Sequence, residues 1–183
     1  YMNNSRLFPP FIMNLKDSDY PVYNTLTKAA ATWPDQLAIT DEYGALTYSQ
    51  LYEKTELLKN FLLYSGTLPE TGIALMTNNS RYFIIGLYAG IGSGCVVMPL
   101  ANYQRPEEVR QALQQARIHF ILSDNPEMAS LGNQVTAINL FEQPLYLGKT
   151  GFDVKNKTVP FLTDVAVMRF TSGTTSNARC VIL

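Results

Sequence analysis

A chain of 183 residues fits one domain or one and a half, and 46% hydrophobic residues are enough for a real core and too many for disorder. With 14 basic and 15 acidic residues the net charge is -1 and no lysine or arginine stripe stands out, which excludes a surface built for nucleic-acid phosphates. Charged residues make up only 16%, which points to apolar surface meant for covering and to self-association through it.

In chain order, residues 1–19 form an N-terminal extension without the basic stretch and long apolar run of a secretory signal. Val22, Leu26 and Ala29 or Ala30 fall at near-helical spacing within Tyr20 to Thr32, and Trp33-Pro34-Asp35 ends that helix, with Trp33 expected to pack against its end. LAIT at 37–40 predicts a strand. Thr47 and Gln50 then make a T-x-x-Q capping box before an apolar stripe of Leu51, Leu58, Phe61 and Leu62, and Gly66 closes the helix.

From Gly72 onward strand and helix alternate: IALMT at 73–77, a helix from Asn79 or Ser80, CVVMPL at 95–100, a helix from Pro106, and HFILSD at 119–124. The uncharged run Tyr82 to Gln104 has the length of a membrane span, with Gly86, Gly90 and Gly94 at helix-packing spacing. Gly92, Ser93 and Gly94 interrupt it and β-branched residues follow, so helix, turn and buried strand is the better description. Continuous apolar strands separated by helices predict an α/β fold with a wound, mainly parallel sheet flanked by helices. Further on, VTAINL at 135–140 reads as a strand, LGKTGFDVKNKTVP as a polar loop, and VAVMRF at 165–170 as the last strand.

Few side chains invite chemistry. The cysteines, Cys95 and Cys180, and the single histidine, His119, offer neither a disulfide framework nor metal-ligand spacing, and a reducing cytoplasm is the expected setting. His119 at a strand start and Cys95 in a buried strand read as structural residues. Glu107 and Glu108 suit the positive end of a helix dipole. No catalytic residue is assigned, and no metal ligand.

The stretch TSGTTSNARCV, from Thr171 to Val181, is different. It leaves a strand end, where wound sheets bind ligands; its small residues let backbone N–H groups approach an anion, hydroxyls add donors and Arg179 adds charge. It lacks the G-x-x-x-x-G-K-[ST] pattern, so a polyphosphate loop and a plain serine/threonine turn both remain open.

TSGTTSNARCV resembles the phosphate-binding signature T-S-G-[ST]-T-G-x-P-K-G-V of the adenylate-forming (AMP-binding) superfamily, which includes acyl-CoA synthetases and the adenylation domains of nonribosomal peptide synthetases. LTYSQLYEKTELLKNFL is similar to that family's early L-T-Y-x-E-L helix. The stretch from Gly72 to Asp124 is similar to its strand, N-S-x-E-F helix, A-G-A-x-x-V-P-L strand and P-x-E-E helix. The resemblance covers residues 20–183 and implies a partial N-terminal subdomain of the adenylate-forming fold, cut after the phosphate loop. It implies ATP and Mg2+ as cofactors, a carboxylic acid as substrate, and coenzyme A or a carrier-protein thiol as acceptor. The acid attacks the α-phosphate of ATP to give an acyl-adenylate, and the thiol then takes the acyl group. Thr171, Ser172, Gly173, Thr174 and Thr175 match the signature's phosphate contacts, and Arg179 takes its lysine position.

Ser176, Ala178 and Cys180 stand where the signature has glycine, proline and glycine, so a positive φ at either glycine position would cost about 1 kcal/mol. The family's G-Y-G-x-[TS]-E motif, ribose-binding aspartate, hinge and catalytic lysine belong downstream, so these residues alone are expected to be inactive. The other expectation is a non-catalytic α/β interaction module with a degenerate nucleotide loop.

Overall fold

The structure is a computed structural model that describes residues 20–156, 165–170 and 180–182. Helix α1 (Pro21–Thr32) starts on a proline whose missing N–H costs nothing there, and buries Tyr23 and Leu26. A hairpin of β1 (Leu37–Asp41) and β2 (Gly44–Thr47) follows. Helix α2 (Tyr48–Tyr64) opens on the predicted capping box: Gln50 N–H donates to Thr47 Oγ1 at 3.3 Å and Thr47 N–H to Gln50 Oε1 at 2.9 Å. It closes on Gly66, at φ 91°, where Gly66 N–H bonds Leu63 O and Thr67 N–H bonds Leu62 O. That paired closure needs a left-handed residue, which glycine adopts without strain.

Strand β3 (Gly72–Met76), helix α3 (Arg81–Gly92), strand β4 (Val96–Pro99), helix α4 (Pro106–Ala116) and strand β5 (Phe120–Ser123) realise the predicted alternation. The short helix α5 (Pro126–Ala129) and the strands β6 (Gln134–Asn139) and β7 (Pro144–Lys149) complete a five-stranded sheet of order β4-β3-β5-β7-β6. Strand β3 is parallel to β4 and β5, while β7 is antiparallel to both β5 and β6. Four of the five strands therefore run one way. The segment LGK, expected to begin a loop, instead ends β7. A second two-stranded unit pairs β8 (Met168–Phe170) with β9 (Cys180–Ile182).

Side-chain alternation on β3 sends Ile73 and Leu75 into a core with Leu26, Leu58, Leu62, Ile85 and Ala89, from α1, α2 and α3. Ala74 and Met76 point the other way, into a core with Val109, Leu113 and Ala116 of α4. The sheet is thus sandwiched, which is why its strands lack polar alternation. Trp33 is 49% exposed rather than packed on the helix end.

Among the described residues no helix is long and apolar enough to cross a membrane. The glycine spacing on α3 serves close helix-on-sheet packing: a Cβ at Gly90 would stand 2.6 Å from Val97 Cγ2, and one at Gly86 2.7 Å from Leu75 Cδ1. Val97 is β-branched and fully buried, so it has little room to turn aside. Gly90→Ala should therefore cost about 1–3 kcal/mol, read as a lower urea midpoint at unchanged slope.

Candidate functional site

Helix α3 follows β3 on one face of the sheet and α4 follows β4 on the other. Adjacent strands whose connections leave to opposite faces open a crevice at their carboxyl ends, where open α/β sheets bind ligands. Here that crevice lies between the residues after Met76 and those after Pro99. Asn102 Nδ2 donates to Asn78 Oδ1 across it. Asn78 N–H donates to Asp124 Oδ2 at 2.8 Å, just beyond β5. Ser123 Oγ donates to Met76 O at 2.7 Å and accepts Asn125 N–H at 3.0 Å. Three successive strand-to-helix loops are thereby tied together by short polar side chains.

Arg81, next to this edge, is already committed. Arg81, 4% exposed at the start of α3, gives its backbone N–H to Asp41 Oδ2 at 2.8 Å, its Nη2 to Asp41 Oδ1 at 2.6 Å and to Gly44 O at 2.8 Å, and its Nε to both carboxylate oxygens at 3.0 Å. Its guanidinium also lies over the Tyr43 and Phe141 rings, 5.7 and 5.2 Å from their centroids. The guanidinium holds the Asp41 carboxyl down at about 2, against an ordinary 3.8. This clamp fixes the first turn of α3 to the β1–β2 hairpin. The hydrogen bonds that tie the three loops come from the Asn78 and Asn102 amides, the Ser123 hydroxyl and the Asp124 carboxylate.

Strand β8 joins beyond β4. Val97 pairs in parallel with Val167, and Val97 N–H donates to Ala166 O at 2.9 Å. Phe170, at the end of β8, therefore reaches the same carboxyl edge as β3, β4 and β5. Strand β9 returns antiparallel, with Phe170 opposite Cys180 and Met168 opposite Ile182. Thr171, Ser172, Gly173, Thr174, Thr175 and Arg179 lie outside the described residues, between these two anchors. Cys180 occupies a strand position, an extended conformation open to any residue, so its replacement of the signature's glycine carries no positive-φ cost.

Cys95 and Glu108 serve the packing and the helix start. Cys95 is buried beside Thr71 Oγ1 at 3.3 Å and Ser93 Oγ at 3.6 Å, and burial pushes its thiol up, away from the reactive thiolate. Glu108 Oε2 accepts Arg105 N–H at 3.2 Å and caps α4. No group of three His, Cys, Asp or Glu among the described residues could hold a metal ion. Sequence reasoning missed Asn78, Asn102 and Asp124; the available signal was a short polar residue soon after each apolar run.

Known proteins carry the same organisation. Residues 26–183 match the family described as AMP-binding enzyme. Tyrocidine synthase 3 of Brevibacillus parabrevis is 27% identical over 162 residues, which span 88% of this chain and 2% of that synthase. The structure of VinN with 3-methylaspartate has a TM-score of 0.67 at 19% identity, covering 88% of this chain and 46% of that one. The N-terminal subdomain of NpsA from Klebsiella oxytoca has a TM-score of 0.65 at 19% identity, covering 88% of this chain and 41% of that one. At such identities the structures attest a shared fold, and this chain spans less than half of each. With the match running from residue 26 to residue 183, the chain belongs to the AMP-binding enzyme family.

Proposed function

We propose that this chain is the N-terminal portion of a carboxylate-adenylating ligase of the peptide-synthetase adenylation type, acting on an amino acid and passing the acyl group to a carrier-protein thiol. The similarity to tyrocidine synthase 3 supports the amino acid over a fatty acid and the carrier thiol over coenzyme A. One structural observation carries the nucleotide assignment: β8 joins β4 in parallel, so the segment after Phe170 starts at the carboxyl edge of the sheet.

In this reading the backbone N–H groups and hydroxyls of Thr171, Ser172, Thr174 and Thr175, with Gly173 allowing close approach, hold the triphosphate of ATP. Arg179 supplies positive charge to the phosphates, whereas Arg81 is neutralised by Asp41. ATP, with its magnesium ion, supplies the α-phosphate that the carboxylate attacks. The chain's part is to position the phosphates and to balance their charge.

Pyrophosphate exchange by the natural protein carrying this chain should depend on one amino acid and stay at background with fatty acids; the reverse would overturn the substrate class. Arg179→Ala should raise the KM for ATP at least about tenfold, in line with the loss of a charge-assisted contact, and Arg179→Lys should restore most of it.

Ser176 and Ala178, which replace the signature's glycine and proline, favour a second reading, a non-catalytic interaction module. It requires that the whole protein show no exchange with any acid and that ATP titrated into it give no binding signal.

A further inference from the structure

We propose that His119 is an acid-released latch: its neutral ring, buried between the start of β3 and the turn at 150–156, holds that turn in place, and a proton on the ring lets it go. The latch rests on described residues and does not depend on the adenylating activity.

Each ring nitrogen has a defined task. Nδ1 accepts Gly72 N–H at 3.0 Å, and Nε2 lies 2.6 Å from Asn156 O, a carbonyl that can only accept. The ring is therefore the neutral tautomer with its hydrogen on Nε2. Its backbone is tied on both sides as well. His119 N–H donates to Gly72 O at 3.0 Å, and His119 O accepts Thr150 N–H at 2.8 Å. Thr150 Oγ1 reaches Ile118 O at 2.8 Å, and Phe152 stands edge-on with its ring centroid 6.5 Å from the imidazole. The residue as a whole is 0% exposed.

A second proton would go on Nδ1 and turn the acceptor of Gly72 N–H into a donor facing a donor. That loses one hydrogen bond, orphans a buried amide and leaves a cation without water. The charged group set against the ring is Asp153, on the turn itself, and it favours the proton. Gly72 on the β3 side, Ile118 and Phe120 beside it in sequence and Phe152 on the turn are uncharged. Burial outweighs Asp153 and holds the ring below its ordinary 6.5.

The sign follows from which state takes the proton first. Above pH 6.5 both the closed and the released ring are neutral and the latch holds fully. As the pH falls below 6.5 the released ring is protonated and the closed one is not, so opening is favoured about tenfold per pH unit until the closed ring also titrates.

Amide hydrogen exchange on the whole chain tests this. Corrected for intrinsic rates, protection at Gly72 and Thr150 should fall about tenfold per pH unit below 6.5, while Leu62 in α2, which reports global opening, stays better protected. His119→Gln, which can accept and donate at similar positions without titrating, should make Gly72 and Thr150 insensitive to pH. The same pH slope in wild type and His119→Gln would overturn the latch. Should the variant fail to fold, ring nitrogen shifts of the wild type decide. A hydrogen on Nδ1, or an ordinary titration near 6.5 with Gly72 still protected, would also overturn it.

Discussion

Arg81→Ala is expected to destabilise the chain by about 3–5 kcal/mol, because it leaves the Asp41 carboxylate buried without its countercharge. Arg81 and Asp41 side chains are 5% and 9% exposed, and four side-chain hydrogen bonds from one guanidinium end on Asp41 or Gly44. Asp41→Ala should cost a similar amount by orphaning the guanidinium between two aromatic rings. The pair Arg81→Met with Asp41→Leu should cost less than either single change, since a joint apolar replacement removes both desolvation penalties. Urea midpoints of Arg81→Met, Asp41→Leu and the double variant close the cycle; losses that simply add would mean that the two residues act separately. Acid gives an independent reading. The Asp41 carboxyl is lowered from 3.8 to about 2, so its contribution is full above pH 3.8 and is lost as pH falls from there toward 2, where the unfolded chain takes the proton first. The wild type should lose stability across that window, and Asp41→Asn should lack this component.

How legible such features are in the sequence depends on how local their cause is. Ile73 to Met76 and Phe120 to Ser123 could be read as strands because both faces are covered, so every position is apolar or small. The start of α2 was legible because its capping box closes within four residues. Strand β7 was not. Its Leu145 and Leu147 are buried, but Gly148 and Lys149 at its end look like the opening of a loop, and it is held by β5 and β6 rather than by its own propensity. Strand β9 was missed for the same reason: Cys180 to Ile182 becomes a strand by pairing back onto β8.

The candidate site divides along the same line. The hydroxyl run after Phe170 stands out because small polar residues follow an apolar strand directly. The amide network does not, since Asn78 meets Asp124 across 46 residues and Asn102 across 24. The Arg81–Asp41 clamp spans 40. Nothing in the spacing of those residues distinguishes them from other surface asparagines or a routine helix-start arginine; only the order β4-β3-β5 brings the three loops together.

Gly148→Ala is expected to be as damaging as breaking the clamp, although it adds a single methyl group. A Cβ at Gly148 would overlap the Ala129 carbonyl oxygen, with Ala129 C at 2.9 Å and Ala129 Cα at 3.3 Å. All three are backbone atoms, so no rotamer change relieves the contact. Strand β7 cannot slide away either, because Gly148 is paired with Ile121 on β5 and with Val135 on β6. The remaining escape is for α5 to lift off the sheet, carrying Ala129, which is fully buried. Overpacking that backbone cannot absorb should cost about 3 kcal/mol or more, a large share of a typical domain's stability. Gly151→Ala is the control, because its Cβ would meet only Asn133 Nδ2 at 3.5 Å, an ordinary contact. The two variants differ by the same methyl group three residues apart, so a lowered urea midpoint in the first and not the second isolates the contact between α5 and β7. Equal midpoints would mean that α5 does not lie on β7 in solution.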